Sequence, residues 1–166
     1  IDISGTMTMN NTPASVWRNP VHFLAFGLGS GAAPKAPGTF GTVAAALIYL
    51  VLPPMSVAAY LLFLVLTFVA GVWLCGRTAA DIGVHDHGGI VWDEFVGLWL
   101  TMFLAPPGLG WLVLGFLLFR VFDILKPWPI AWCDKYVEGG LGIMIDDVLA
   151  GLMALACLQL LAALIL

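Results

Sequence analysis

Five long apolar stretches dominate the pattern of hydrophobic and polar positions along the chain. They cover residues 39–52, 57–75, 90–105, 109–125 and 143–166. Each stretch is continuous, which is typical of membrane-embedded helices, whereas a membrane β-barrel shows alternation within segments of about 10 residues. The pairs Pro53-Pro54 and Pro106-Pro107 end the first and third stretches. The pattern predicts an all-α polytopic membrane protein, a bundle of about five transmembrane helices.

Two of these stretches, 39–52 and 90–105, are shorter than a membrane crossing ordinarily requires. A helix needs about 20 apolar residues to cross a bilayer, and about 17 at the least. These two stretches could cross with their polar flanks included, or they could be buried within the bundle. Crossing is favoured because it places every Lys and Arg on one side of the membrane, namely Arg18, Lys35, Arg77, Arg120, Lys126 and Lys135. The positive-inside rule makes that side a polar cytoplasmic cap, with the C-terminus outside.

The N-terminal region is predicted to differ from the rest of the chain. Residues 1–18 form a polar tail without the apolar core of a signal peptide, and residues 19–166 form a single membrane-embedded domain. Residues 1–6 are interpreted as foreign to the natural chain, with Met7 or Met9 as its start. Residues 20–31 are apolar but short, which predicts a short interfacial helix.

Composition supports the membrane interpretation and excludes other classes of protein. The chain is 61% hydrophobic and 10% charged, whereas a soluble domain has about 45–50% apolar and about 25% charged residues. The net charge is −4 and no basic stripe is present, so a nucleic-acid partner is not expected. The expected partner is the lipid bilayer, and the oligomeric state stays open.

Acidic residues interrupt three of the apolar stretches near their predicted cytoplasmic ends. They are Asp93, Glu94, Asp123, Asp146 and Asp147. A charge at mid-membrane costs about 2.5–3.5 kcal/mol on insertion scales, so acids on three helices at one depth indicate a shared site. Helix capping remains an alternative for Asp93 or Asp146 taken alone. Oxygen ligands without Cys or His favour Mg²⁺ or Mn²⁺, with Asp93, Glu94, Asp146 and Asp147 as the predicted ligands.

Residues that suit a phosphate group lie beside these acids in the sequence. The candidate substrate-binding residues are Lys35, Gly38, Thr39, Arg120, Lys126, Gly139, Gly140 and Gly142. The three glycines before the last stretch could present backbone N–H groups to an anion, or form a flexible turn. Thr39 could contact a phosphate or cap its helix, and Arg120 could instead pair with Asp123 at i+3.

Two further acids of the same region are expected to lie on the surface. Asp134 and Glu138 flank Lys135 in a segment with two tryptophans, Trp128 and Trp132. This pattern predicts an interfacial helix that faces water, and therefore acids that take no part in the site.

Three segments together resemble the phosphatidylglycerophosphatase A family. They are GSGAAPKAPGTFGT (29–42), DIGVHDHGGIVWDEFVG (81–97) and FRVFDILKPWPI with GGLGIMIDDVLAG (within 119–151). The resemblance spans nearly the whole chain after residue 19. It implies a small phosphatase of the bacterial inner membrane that removes the terminal phosphate of phosphatidylglycerophosphate in a Mg²⁺-dependent reaction. The family motifs fall on Gly38, Thr39, Asp86, Asp93, Glu94, Arg120, Asp123, Lys126, Gly139, Gly140, Gly142, Asp146 and Asp147.

The predicted reaction is metal-assisted hydrolysis of a phosphomonoester. Arg120 and Lys126 would neutralise charge on the phosphoryl group, and Asp123 or Asp86 would accept the proton of the attacking water. Direct attack by an Asp carboxylate remains open. The alternative function is a cation transporter or channel, since intramembrane acids also mark ion pathways.

Overall fold

The computed structural model describes residues 12–84 and 87–166, and within them the chain is helical, without strands. Seven α-helices follow one another: α1 Pro20–Ala25, α2 Pro37–Val51, α3 Val57–Ile82, α4 Trp92–Thr101, α5 Leu109–Leu125, α6 Ile130–Tyr136 and α7 Gly139–Ile165. Short 3₁₀ turns at Ala14–Trp17 and Ser30–Ala32 flank α1. The predictions for residues 1–6 and for Asp86 lie outside the described residues.

Local sequence accounts for the helix ends that face away from the charged residues. Leu52 ends α2 just before Pro53-Pro54, and proline cannot continue a helix. The Ser56 hydroxyl then accepts a hydrogen bond from the Ala59 N–H at 3.2 Å and caps the start of α3. The Pro106-Pro107 pair lies in the connection between α4, which ends at Thr101, and α5. Helix α2 packs mainly against α4, and α4 packs in turn against α3 and α5.

The last helix, α7, is the centre of the bundle. It packs against α3, α4, α5 and α6. Ala150, Ala154 and Leu158 of α7 are fully buried, together with Phe95 of α4 and Phe119 of α5. Small side chains on α7 alternate with large side chains on its neighbours, so the core fills by interdigitation.

Two of the helices are long and apolar enough to cross a membrane. These are α3 and α7, with 26 and 27 residues and with mean hydropathy values of 2.4 and 2.5. The outer face of α3 carries exposed Leu62, Val65, Leu66 and Val69, the kind of apolar surface that suits lipid. The prediction of a helical membrane-type chain is thus supported by two helices, and the five-helix transmembrane bundle is not confirmed.

The third apolar stretch forms a short buried helix. Helix α4 has 10 residues and so rises about 15 Å, half of the roughly 30 Å hydrocarbon core of a bilayer. It packs against α2, α3, α5 and α7, and Phe95, Leu98 and Trp99 have almost no exposed surface. Of the two alternatives for this stretch, burial within the bundle therefore accounts for its length better than a full crossing.

A short helix, α1, covers the first six residues, Pro20–Ala25, of the segment predicted as an interfacial helix. Hydrogen bonds fasten it to the end of α3. The His22 ring contacts the Ser15 hydroxyl at 2.9 Å and a carboxylate oxygen of Asp81 at 3.2 Å. Asp81 is also paired with Arg77 on the same helix. These contacts place α1 at the end of the bundle where the charged residues of α3 lie.

Candidate active site

Two glycines bring α4 and α7 close enough for their acidic residues to meet. A Cβ atom added at Gly151 would lie 2.6 Å from the carbonyl oxygen of Gly97, a separation that no side chain tolerates. Gly97 follows Asp93 by four positions and Gly151 follows Asp147 by four, so each glycine shares a helix face with an acid. The close crossing therefore sets the two acidic turns against each other.

Three carboxyl groups converge beside this crossing. One oxygen from each of Asp93, Glu94 and Asp147 lies within 4.8 Å of the other two. Glu94 is 9% exposed and Asp147 is 3% exposed. Asp93 Oδ1, Glu94 Oε2 and Asp147 Oδ2 are buried without a hydrogen-bond partner. Buried carboxylates without donors are unfavourable unless a cation compensates their charge, so this oxygen-only set fits a divalent cation such as Mg²⁺.

The Arg120 guanidinium connects α5 to the carboxylate cluster and to the start of α2. It forms an ion pair with Asp123 and lies 3.9 Å from Glu94 Oε1 through Nη1. Its Nη2 lies 3.5 Å from the Thr39 hydroxyl oxygen. A Cβ atom at Gly38 would overlap Glu94 Oε1 and lie 3.2 Å from Arg120 Nη1. Both Gly38 and Thr39 therefore contact the Arg120 group, and Gly38 has no room for a side chain.

Lys126 holds a second part of the site together. It ends α5 in the left-handed conformation, with φ 43°, and its Nζ donates to Asp134 Oδ1 at 2.6 Å and to Asp146 Oδ2 at 2.7 Å. Burial opposes the charged form of Lys126, but the two carboxylates outweigh it and raise the Lys126 pKa above its ordinary value. The ammonium group therefore stays charged at neutral pH.

One cavity of about 280 Å³ is lined by Lys126, by Gly142 of α7 and by the acids described above, which are Asp93, Glu94, Asp123, Asp134, Asp146 and Asp147. Ligand pockets range from about 300 to 1,000 Å³, so this cavity suits a small polar group rather than a whole lipid. Arg120 lies at its edge, where it contacts Glu94 and Asp123. The cavity combines converging carboxylates with the Lys126 ammonium group, and Arg120 pairs with two of the carboxylates that line it.

The structure separates some predicted site residues from this cavity. Lys35 lines a different cavity. Gly139, Gly140 and Gly142 form the first turn of α7 and not a loop before it. Of these three, Gly142 lines the acidic cavity, whereas a Cβ atom at Gly140 would overlap the carbonyl oxygen of Val72 on α3. Gly140 therefore lets α7 approach α3 closely.

Asp146 and Asp147 were both named as candidate ligands, with the possibility that one of them binds the ion and the other acts as a base or an outer acceptor, and the structure gives them different surroundings. Asp147 belongs to the three-carboxylate cluster. Asp146 uses Oδ2 for Lys126, while its Oδ1 is buried without a partner. As long as Asp146 keeps its contact with Lys126, only its Oδ1 oxygen is therefore available to bind a cation.

Sequence reasoning missed Asp134 and the two crossing glycines. Asp134 is exposed, as expected, with 41% of its side chain accessible, but it also lines the cavity and binds Lys126, which was not predicted. A signal was present, because Asp134 follows the fully buried Ile130 by four positions and shares its helix face. The four-residue spacing from Asp93 to Gly97 and from Asp147 to Gly151 could likewise have indicated the helix crossing. Glu138 is also exposed, as expected.

Comparisons with known proteins agree with the resemblance carried by the motifs. Phosphatidylglycerophosphatase A of Escherichia coli (strain K12) is 48% identical over 137 residues, which cover 82% of this chain and 80% of that protein. Phosphatidylglycerophosphatase A of Haemophilus influenzae is 49% identical over 152 residues, which cover 89% of this chain and 93% of that protein. No solved structure matches the chain.

The sequence model of the phosphatidylglycerophosphatase A family matches residues 23–162. All residues of the acidic cavity lie within this range. The converging carboxylates, the two cations and the relatives therefore agree, and the chain belongs to the phosphatidylglycerophosphatase A family of phosphatases.

Proposed function

We propose that the protein hydrolyses the terminal phosphate of phosphatidylglycerophosphate to give phosphatidylglycerol and inorganic phosphate, in a Mg²⁺-dependent reaction. The names of the two relatives support this substrate. The single observation that carries the chemistry is the cluster of Asp93, Glu94 and Asp147 with its unpartnered buried oxygens. The proposed location is the bacterial inner membrane, with the acidic cavity open to the cytoplasm.

The divalent cation is assigned to the three clustered carboxylates, with Asp146 beside them. When bound, Mg²⁺ supplies Lewis-acid polarisation of the phosphate oxygens and compensates the charge of the carboxylates. Without such an ion, three carboxylates within 4.8 Å of one another would repel a phosphate.

Lys126 keeps a hydrogen-bond donor available for the substrate. A lysine ammonium has three N–H donors, and Lys126 uses two of them for Asp134 and Asp146. The third can donate to a phosphate oxygen without breaking either ion pair. Arg120 pairs with the lining carboxylates Glu94 and Asp123, and its positive charge adds to the stabilisation of the transition state.

Asp123 is the proposed acceptor of the water proton. It lines the cavity and is held by Arg120, which fixes the direction of its carboxylate. Water adds to phosphorus, the bond from phosphorus to the glycerol oxygen breaks, and the released alcohol takes up a proton. Direct attack by a carboxylate is the alternative course, and rapid quenching would then recover a phosphorylated protein.

The fatty-acid chains of the substrate remain outside the cavity in this proposal. A volume of about 280 Å³ admits a head group, while the exposed apolar faces of α3 and α7 suit the acyl chains. The lipid would therefore be bound across the boundary between the polar end of the bundle and its apolar sides.

Release of phosphate from detergent-solubilised phosphatidylglycerophosphate tests the proposal. The purified protein should release phosphate with Mg²⁺, lose activity with EDTA and regain it when Mg²⁺ is restored in excess. Full activity in chelator would contradict the metal, and no release under any of these conditions would contradict the substrate. A cation pathway is not proposed, because the acidic residues of α4, α5 and α7 gather around one cavity.

A further inference from the structure

A second cavity lies beside the acidic one and has the opposite electrostatic character. It has a volume of about 290 Å³, and Lys35, Pro37 and His87 are among its lining residues. Gly88 lines both cavities, so they meet at this residue. Among the described residues, no Asp or Glu lines the second cavity, whereas six acids line the first. The second cavity therefore favours an anion without needing a metal.

Lys35 provides an available positive charge in this cavity. Its side chain is exposed, and among the described residues no carboxylate lies within ion-pair distance of it. Arg77, Arg120 and Lys126 in contrast all have carboxylate partners. Lys35 can thus bind an anionic ligand without giving up another contact.

His87 offers a hydrogen-bond donor in the same cavity. It is 8% exposed, and its ring packs against Phe26 with 5.4 Å between the ring centroids. Its Nδ1 accepts a hydrogen bond from the Gly89 N–H at 3.0 Å. In the neutral ring the proton must then be on Nε2, which is left as a donor for a ligand.

The start of α2 separates the two cavities. Pro37, the first residue of α2, lines the second cavity. The following residues, Gly38 and Thr39, contact Glu94 and Arg120 at the first site. The two cavities therefore adjoin at the start of α2 as well as at Gly88, so one lipid head group with two phosphates joined by a three-carbon glycerol unit can reach both.

We propose that the second cavity binds the inner phosphodiester of the lipid head group while the terminal phosphate occupies the acidic cavity. This inference rests on the proposed function, because phosphatidylglycerophosphate carries a phosphodiester and a phosphomonoester joined by glycerol. Lys35 and His87 Nε2 are the groups that contact the phosphodiester oxygens. The pair of cavities thereby selects lipids with two phosphates over lipids with a single phosphomonoester.

Steady-state kinetics of Lys35→Gln in mixed micelles with Mg²⁺ test this inference. The KM for phosphatidylglycerophosphate should rise about tenfold with little change in kcat, because Lys35→Gln removes a hydrogen bond between a charged donor and the phosphodiester. The preference for phosphatidylglycerophosphate over phosphatidate, measured as the ratio of kcat/KM values, should fall by the same factor. Lys35→Arg should keep most of the preference.

Lys135→Gln is the matched control, because this lysine is exposed near the same end of the bundle and lines neither cavity. It should leave both KM values unchanged. An equal loss on both lipids, or an unchanged KM for phosphatidylglycerophosphate in Lys35→Gln, would overturn the inference. The KM of the two-phosphate lipid decides the matter even if phosphatidate is not hydrolysed.

A separate anionic lipid is the other source of a phosphodiester. Adding phosphatidylglycerol to phosphatidate micelles tests it, because hydrolysis of phosphatidate would then become sensitive to Lys35→Gln. That result would overturn binding of both phosphates within one substrate molecule. Failure of the proposed function is distinct, since the wild-type protein would then release no phosphate from phosphatidylglycerophosphate at all.

Discussion

At the scale of single residues, the neighbouring Asp146 and Asp147 have different roles in the site. Successive side chains on a helix point about 100° apart, so Asp146 reaches Lys126 while Asp147 reaches Asp93 and Glu94. The charge of Asp146 is compensated by the protein itself. The charge of Asp147 has no such partner and is left for a bound cation. Substitutions of the two aspartates should therefore differ in their effect on activity.

Asp147→Asn should lower kcat by at least about a hundredfold, because it removes a ligand of the ion on which substrate and water depend. Asp146→Asn should reduce turnover less, since Lys126 keeps Asp134 as a partner. Glu138→Gln is the control, an exposed acid at the start of the same helix. The measurement is phosphate release by purified variants that elute as the wild type does. Near-normal turnover in Asp147→Asn would contradict the assignment.

Lys126→Gln should lower kcat/KM by about 10–100-fold, because it removes a cation from the cavity and leaves Asp146 buried without its partner. Asp134→Asn should have a smaller effect, since Asp146 still holds the ammonium group. Assays of both variants across substrate concentrations make this comparison. A larger loss in Asp134→Asn than in Lys126→Gln would show that the role assigned to Lys126 is wrong.

At the scale of helices, the crossing of α4 and α7 determines the geometry of the site. Its closest approach joins Gly97 and Gly151, one turn beyond the acids of the two helices. The backbones meet there without intervening side chains, and the buried Phe119 ring packs against Gly97. The carboxylates of α4 and α7 can therefore meet only because residues 97 and 151 are glycines and have no Cβ atom.

Gly151→Ala should push α7 away from α4 and lower activity by about a hundredfold, the loss expected for a displacement of about 1 Å at the reacting groups. Overpacking should also destabilise the fold by about 1–3 kcal/mol. The matched control is Gly110→Ala, since a Cβ atom at Gly110 meets nothing within 4 Å. Activity and thermal unfolding in detergent are the measurements. Wild-type values in Gly151→Ala would contradict the role of the crossing.

The helices could be predicted from the sequence to the extent that apolar character alone determines them. The stretch 109–125 coincides with α5, and 57–75 forms most of α3. Helix α3 continues to Ile82 because Arg77 and Asp81 pair on its surface and extend the helix beyond the apolar run. The glycines at 139–142 were predicted as a turn before α7, because the close contact of Gly140 with α3, which requires glycine there, leaves no local signal in the sequence.

Part of the site could be predicted for a similar reason, because a carboxylate within an apolar helix requires compensation. This argument singled out Asp93, Glu94, Asp123, Asp146 and Asp147, all of which line one cavity. The ion pairs of Lys126 could not be predicted, since they join residues 8 and 20 positions apart through the packing of α5, α6 and α7. The second cavity depends equally on long-range packing.

At the scale of the whole molecule, the charged residues gather at one end of a bundle of opposed helices. The starts of α2, α4 and α7 and the end of α5 meet around the acidic cavity. Arg77 and Asp81 lie near the end of α3, where α1 is attached. This arrangement is maintained whether or not the short helix α4 reaches the opposite surface of the membrane.

A reporter fused after Leu166 should be periplasmic, and one inserted in the 77–89 region should be cytoplasmic. The reason is the one-sided distribution of Lys and Arg, which the positive-inside rule assigns to the cytoplasm. Helix α7 then crosses the membrane once, from its glycine turn outward. A cytoplasmic reporter at the C-terminus would contradict this topology.

Binding of Mn²⁺, followed by electron paramagnetic resonance, tests most directly the central claim that Asp93, Glu94 and Asp147 form the metal site. Mn²⁺ has the same preference for oxygen ligands as Mg²⁺, and its free form gives a signal that binding removes. The wild-type protein and Glu138→Gln should bind Mn²⁺ with equal affinity, and Asp147→Asn should bind it at least about tenfold more weakly, since even partners outside the ligand set contribute about 10–100-fold. Equal binding by the wild type and Asp147→Asn would contradict the account.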